Sequence, residues 1–230
     1  MTKRYEKSAA LRARLEKAYE CMAAHYGPTH WWPGDTPFEI AIGAILTQNT
    51  AWRNVEQAIT TLKARNLLTV EAMLSCPAAC LEQAIRPTGY FRQKAKRLQT
   101  FCAWLRAHYG GDMARMAQEP LDTLRPALLA INGIGPETAD DILLYACGKP
   151  VFVIDAYTRR IVSRHGWAPD NLSYEALRVL FEEHMEPAVH TFREYHGLVV
   201  YTAKAFCRKR DPLCEGCPLE PLLPKDGPRR

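Results

Sequence analysis

The sequence predicts an all-α fold, and three observations carry that reading. Apolar residues recur at three- and four-residue spacing along nearly all of the 230 residues, strand-like alternation is scarce, and no βαβ rhythm appears. At 47% hydrophobic and 24% charged, the chain can bury a substantial core, which excludes wholesale disorder. Short connections between helices and the lack of internal repeats favour compact packing in two helical lobes with a central groove. The expected boundaries are one lobe from about 1–36 plus 150–206, a second from about 37–149, and a cysteine loop at 207–223.

The elements follow from their start and stop signals. A first amphipathic helix over 5–26 is stopped by Gly27 and Pro28, and Asp35 or Thr36 caps a second that begins at Pro37 and carries Phe38, Ile40, Ala41, Ala44, Ile45 and Leu46. Helices are expected near 77–85, 93–108, 121–130 and 136–146. The apolar run Val151 to Ile154 leads into Asp155, a natural N-cap for a helix over 156–165, and helices over 174–184 and 188–206 complete the set. The last 24 residues, rich in proline and glycine, need an external staple to be ordered.

No apolar run approaches the roughly 18 residues of a membrane span, and no export signal is visible, so the expectation is a soluble, cytoplasmic, monomeric protein, nucleoid-associated if bacterial. In such a compartment the eight cysteines stay reduced, and a tight group of them reads as a metal or iron–sulfur site before it reads as disulfides. Cys207, Cys214 and Cys217 form such a group beside Arg208, Lys209 and Arg210, whereas Cys21, Cys76, Cys80, Cys102 and Cys147 suit small core positions. The net charge of +5 permits a polyanionic partner without demanding one. Its distribution is more telling, with five basic residues and no acid from Arg86 to Arg97, and four with no acid from Lys204 to Arg210. These stretches suit phosphate contact, although a solvated helix face has the same composition.

Ile131 to Ala139 (Ile-Asn-Gly-Ile-Gly-Pro-Glu-Thr-Ala) sets Gly133 and Gly135 between two helices. Both glycines permit a tight turn with positive φ, and the following helix start exposes amide N–H groups able to hold a phosphate. An ordinary helix–helix turn reads the same way. Twenty residues beyond Gly135 stands Asp155, either a plain N-cap or a carboxylate available for chemistry. Trp31, Trp32 and Trp52 flank the helix that begins at Pro37; aromatic faces of this kind stack on a planar base, above all a cationic one, or pack in a core.

Hairpin and aspartate at this interval, together with Ile45-Leu-Thr-Gln-Asn-Thr50, Gly89-Tyr-Phe-Arg-Gln-Lys-Ala-Lys96 and the terminal cysteines, resemble the helix–hairpin–helix–GPD superfamily of base-excision DNA glycosylases, the endonuclease III-like proteins, over roughly residues 37–223. The tandem tryptophans and the segment from Arg86 to Arg97 resemble its 3-methyladenine glycosylase branch. The resemblance implies double-stranded DNA containing a damaged base as partner. It makes Asp155 the catalytic carboxylate, Gly133 and Gly135 the backbone grip, Gln48 the gap-filling side chain, and Trp31, Trp32, Trp52 and Lys204 the base pocket, while charge placement puts Arg208, Lys209 and Arg210 on DNA. Leu198 stands where that branch carries a modified lysine.

It also implies a [4Fe–4S] cluster held by four cysteines, of which Cys207, Cys214 and Cys217 are present and the fourth position is Leu223. Either a cluster is held by three thiolates and another ligand, or the loop has lost it. Bifunctional members place a lysine two residues after the second hairpin glycine to form an imine with the sugar; here that residue is Glu137, which cannot. The expected activity is therefore monofunctional hydrolysis of the N-glycosidic bond of alkylated purines. The alternatives are an endonuclease III-like glycosylase and lyase for oxidised pyrimidines, and a lesion-binding protein without catalysis.

Overall fold

A computed structural model describes residues 2–229, with side chains from Ala9 onward. Among these residues there are twelve α-helices and no strand: α1 Thr2–Tyr26, α2 Pro37–Thr47, α3 Trp52–Ala64, α4 Val70–Ser75, α5 Ala78–Ala84, α6 Phe91–Tyr109, α7 Met113–Gln118, α8 Leu121–Leu129, α9 Pro136–Asp141, α10 Ala156–Arg164, α11 Tyr174–His184 and α12 Val189–Ala205. The chain divides into two compact units. One runs from the N-terminus to Trp32 and resumes at Pro150, and the other is Pro33–Lys149. The cysteine loop belongs to the first unit rather than standing apart.

In the Pro33–Lys149 unit, Thr36 caps α2 by accepting from the Glu39 N–H at 3.1 Å, while Asp35 instead pairs with Lys63 at 2.7 Å. Helix α2 is buried along Ala41 to Leu46 and packs against α3, α6 and the turn that follows α9. That turn, Ile142–Ala146, widens α9 into a single π turn that buries Ile142 to Tyr145. Just before it, fully buried Asp140 takes a two-pronged contact from Arg125, at 2.7 Å from Nε and 3.0 Å from Nη2. Helices α3, α4 and α7 occupy stretches where no helix was expected. Helix α3 has no side-chain cap, and α4 and α7 span six residues each, too few for a repeating apolar pattern.

In the other unit, α12 is the central element, burying Phe192, Tyr195, Leu198, Val199, Val200 and Ala203. The Tyr195 hydroxyl donates to the Leu15 carbonyl of α1 at 2.8 Å, and Gly27, at φ +69°, ends α1. Phe152 stacks on Phe181 with centroids 4.1 Å apart and meets Tyr195 edge-on. The run Val151–Ile154 is buried without a partner strand, so its amides find side chains: Phe152 N–H donates to Glu182 at 2.9 Å and Ile154 N–H to the Tyr174 hydroxyl at 3.3 Å. This delivers the chain, with no slack, to Asp155.

Candidate active site and nucleic-acid interface

The hairpin joins α8 to α9. Gly133 lies at φ +91°, and a Cβ there would sit 2.6 Å from the Arg97 side chain, so both the conformation and the close approach need glycine. Gly135 corrects the expectation of two positive-φ glycines. It is the extended N-cap of α9, at φ −91°, and the place of its missing Cβ is open space. A phosphate can therefore approach the backbone at Gly135, while Gly133 shapes the turn.

Gln48, at the C-terminal end of α2, is bound to this hairpin. Its amide N–H groups donate to the Gly133 carbonyl at 3.1 Å and to Thr138 Oγ1 at 2.9 Å, and its carbonyl accepts from Arg97. Arg97, Lys96, Gln93, Thr100 and Asn132 line a shallow polar cavity beside the hairpin. Of the five basic residues between Arg86 and Arg97, Lys94 is withdrawn from this surface. It is 1% exposed, and its ammonium donates to the Leu46 carbonyl at 2.9 Å and the Thr88 carbonyl at 2.7 Å. Burial, with Arg97 nearby, lowers its pKa to about 8. Charge counting could not separate this structural lysine from its exposed neighbours. Trp52 opens α3 in this same unit and donates its indole N–H to Glu56 at 2.9 Å.

Asp155 is both an N-cap and a largely buried carboxylate, its side chain 12% exposed. Oδ1 accepts from the Thr158 N–H at 2.7 Å, and Oδ2 lies 3.5 Å from Nε2 of the buried His196 on α12. Burial pushes the carboxyl pKa up, but the His196 imidazole and the Thr158 contact outweigh it and leave the pKa below its ordinary value. Asp155 is thus held ionised in a largely dry place. His196 was not singled out in the sequence, because nothing in the spacing ties α12 to Asp155.

On the same unit, Trp31 meets Trp32 and Tyr201 edge-on, with centroids 6.3 and 5.7 Å away, and the Lys204 ammonium lies 5.5 Å from the centroid of a Trp31 ring. Gly197 makes room for this: a Cβ on it would lie 2.6 Å from both Trp31 Cβ and Thr29 Oγ1. The structure therefore brings Trp31, Trp32 and Lys204 together.

The C-terminal loop is stapled mainly by arginines of α10. Arg160 Nε donates to the Cys207 carbonyl at 2.6 Å, and Arg164 donates to the Arg208 and Lys209 carbonyls at 2.6 and 3.1 Å and approaches Cys207 Sγ at 3.3 Å. The side chains of Arg208, Lys209 and Arg210 remain exposed. Cys207, Cys214, Cys217 and Leu223 line one cavity with Arg164 and His165. Burial raises the Cys217 pKa, and the neighbouring Cys207 and Cys214 thiols add to the rise. Among the described residues no three ligating side chains converge closely enough to hold a single metal ion. The lining does fit a larger group. Three thiols share the space, a guanidinium stands by to offset thiolate charge, and buried His165 Nε2 has no hydrogen-bond partner. Of the other cysteines, Cys76, Cys102 and Cys147 are buried, with burial pushing Cys102 and Cys147 up to about 12, while Cys21 and Cys80 are half-buried.

An all-α scaffold with a phosphate-accessible hairpin, exposed basic side chains and a buried ionised carboxylate defines a protein equipped to work on a nucleic-acid backbone. Residues 42–187 match the family described as HhH-GPD superfamily base excision DNA repair protein. A candidate DNA repair glycosylase of Methanocaldococcus jannaschii is 43% identical over 90% of this chain and 94% of its own length. Endonuclease III of Thermotoga maritima is 28% identical over 79% of each. Among solved structures, H. pylori 3-methyladenine DNA glycosylase bound to 1,N6-ethenoadenine superposes with a TM-score of 0.71 at 28% identity, over 81% of this chain and 97% of that one. A non-covalent endonuclease III–DNA complex shares the fold at a TM-score of 0.77 and 23% identity, over 92% of this chain and 94% of that one. The chain belongs to the helix–hairpin–helix–GPD superfamily of base excision DNA repair proteins and is a DNA repair glycosylase of that superfamily.

Proposed function

We propose that the chain is a monofunctional glycosylase that hydrolyses the N-glycosidic bond of alkylated purines of the 3-methyladenine kind in double-stranded DNA, leaving an abasic site. Glu137 carries the monofunctional reading. It is exposed on the first turn of α9, where the lyase members of the family present an amine, and a carboxylate forms no imine. Support for the base class comes from the aromatic group of Trp31, Trp32 and Tyr201 in the same unit as Asp155, and from likeness to the H. pylori enzyme. Electron-rich ring faces favour a base made cationic by alkylation.

In this reading the hairpin amides beyond Gly135 hold a backbone phosphate while the damaged nucleotide leaves the stack, and Gln48 fills the space behind it. Aromatic faces of Trp31 and Trp32 receive the base, with the Lys204 ammonium beside Trp31. Cleavage builds positive charge on the deoxyribose, which the Asp155 carboxylate stabilises while orienting the attacking water. His196 and the Thr158 N–H keep that carboxylate ionised and aimed. Cys207, Cys214 and Cys217 would hold a [4Fe–4S] cluster, which when bound cross-links the C-terminal loop and places Arg208, Lys209 and Arg210 for phosphate contact.

The test is release of free base from methylated DNA. Expected is liberation of 3-methyladenine by the wild type and none by Asp155→Asn, with DNA binding retained. Borohydride trapping on abasic DNA should give no adduct; a covalent adduct would overturn the monofunctional reading and favour the endonuclease III-like alternative. Binding without release by the wild type would leave only a lesion-binding protein.

A further inference from the structure

We infer that His165 supplies the fourth ligand to the iron–sulfur cluster of the C-terminal loop, taking the place of the thiolate missing at Leu223. Four observations converge on it. First, His165 lines the same cavity as Cys207, Cys214 and Cys217. Second, its ring is 7% exposed and its Nδ1 bonds the Ile161 carbonyl of its own helix at 2.8 Å. That contact places the proton on Nδ1 and leaves Nε2 as a bare lone pair, the form in which imidazole binds metal.

Third, Nε2 is buried and makes no hydrogen bond of ordinary geometry, although the Leu219 backbone stands near the ring. A buried lone pair without a partner is costly, and an iron would satisfy it. Fourth, the competing ligand is engaged. Glu220 is the remaining carboxylate on the cavity wall, and its Oε2 accepts from the Gly216 N–H at 3.0 Å. Leu223 lines the same cavity, so the fourth family position still faces the site but brings no donor atom. Residues of α10 and the loop thus make up a Cys₃His set, with Arg164 beside Cys207 easing the thiolate charge. Imidazole is a known substitute for thiolate on iron–sulfur clusters, where it raises the reduction potential. The assignment stands apart from the identity of the excised base.

The full-length protein, purified or reconstituted anaerobically with iron and sulfide, should carry about four irons and four sulfides per chain. With ¹⁵N-histidine labelling, pulsed electron paramagnetic resonance should show a nitrogen coupled to the cluster. His165→Ala should lose about a quarter of the iron, yielding a three-iron form. Both His165→Cys and the double variant His165→Ala with Leu223→Cys should recover it. A wild-type cluster with no histidine nitrogen coupling would overturn the assignment even if His165→Ala failed to fold. Full iron and an unchanged spectrum in His165→Ala would do the same, as would bound zinc without sulfide, or no cluster at all after reconstitution.

Discussion

Asp155 caps α10, and a pair of substitutions can pull that role apart from the catalytic one proposed for it. Asparagine caps helices about as well as aspartate, so Asp155→Asn keeps an oxygen for the Thr158 N–H, now 2.7 Å from Oδ1, and removes only the charge. Asp155→Ala removes both. The lost cap should cost about 1 kcal/mol, which for a chain of this length lowers Tm by roughly 2–4 °C. Asp155→Asn should stay within about half that shift. Excision should fall about 10²–10⁴-fold in both, because the positive charge developing on the sugar loses its counter-charge. The depressed folded pKa gives stability that is full above the unfolded value of about 3.9 and is lost as pH falls through the lower folded value. Acid unfolding of Asp155→Asn should therefore start from a lower plateau and lack that component. Single-turnover base release and thermal melts, run together, decide the matter. Excision by Asp155→Asn within tenfold of wild type would refute the catalytic assignment, and equal melting losses for the two variants would refute the division of roles.

Gly133→Ala, forced into positive φ against Arg97, should lose about 1–3 kcal/mol in urea unfolding. Gly135→Ala has room and ordinary φ, so it should fold normally yet bind DNA more weakly, as a titration by fluorescence anisotropy would show. Lys94→Met strands the buried carbonyls of Leu46 and Thr88 and should cost about 1–3 kcal/mol for each left unpaired. Because the Lys94 pKa falls to about 8 in the fold, the wild type should gain stability relative to this variant as pH rises from about 8 toward 10.5. Glu137→Lys places an amine at an exposed site and should create a borohydride-trappable adduct on abasic DNA.

Two helix starts were legible from their caps, Thr36 and Asp155, each of which accepts an amide three residues on; Thr69 and Asp112 cap α4 and α7 as well, but those helices are too short to show an apolar period. Helix α3 was not legible either, because Ala51 offers no cap and only Val55, Ala58 and Leu62 of its residues are buried. The aspartate and the hairpin could be read as motifs, since each is local in sequence. Their working partners are not local. His196 reaches Asp155, and Arg97 reaches both Gln48 and Gly133, only through tertiary packing. The two glycines looked equivalent in sequence, yet one supplies a left-handed turn and the other an open approach, a difference decided by φ and by where Arg97 lies.

The C-terminal tail is held by protein contacts of its own. Its proline and glycine content called for an external staple, and protein contacts supply one: Arg160 and Arg164 hold the carbonyls of residues 207–209, the Leu213 N–H bonds the Phe206 carbonyl at 2.9 Å, and the Arg229 N–H bonds the Arg164 carbonyl at 2.9 Å. Gly166 lets this last segment close in, for a Cβ there would lie 2.6 Å from the Arg229 guanidinium carbon. A loop ordered by protein contacts presents its thiols before any iron arrives, so less of the binding free energy is spent on folding the site. On the proposed reading, leucine at the fourth position weakens the hold on iron without unravelling the loop. On the proposed assignment, a histidine already buried in the same cavity completes the ligand set of a loop that is ordered before iron binds.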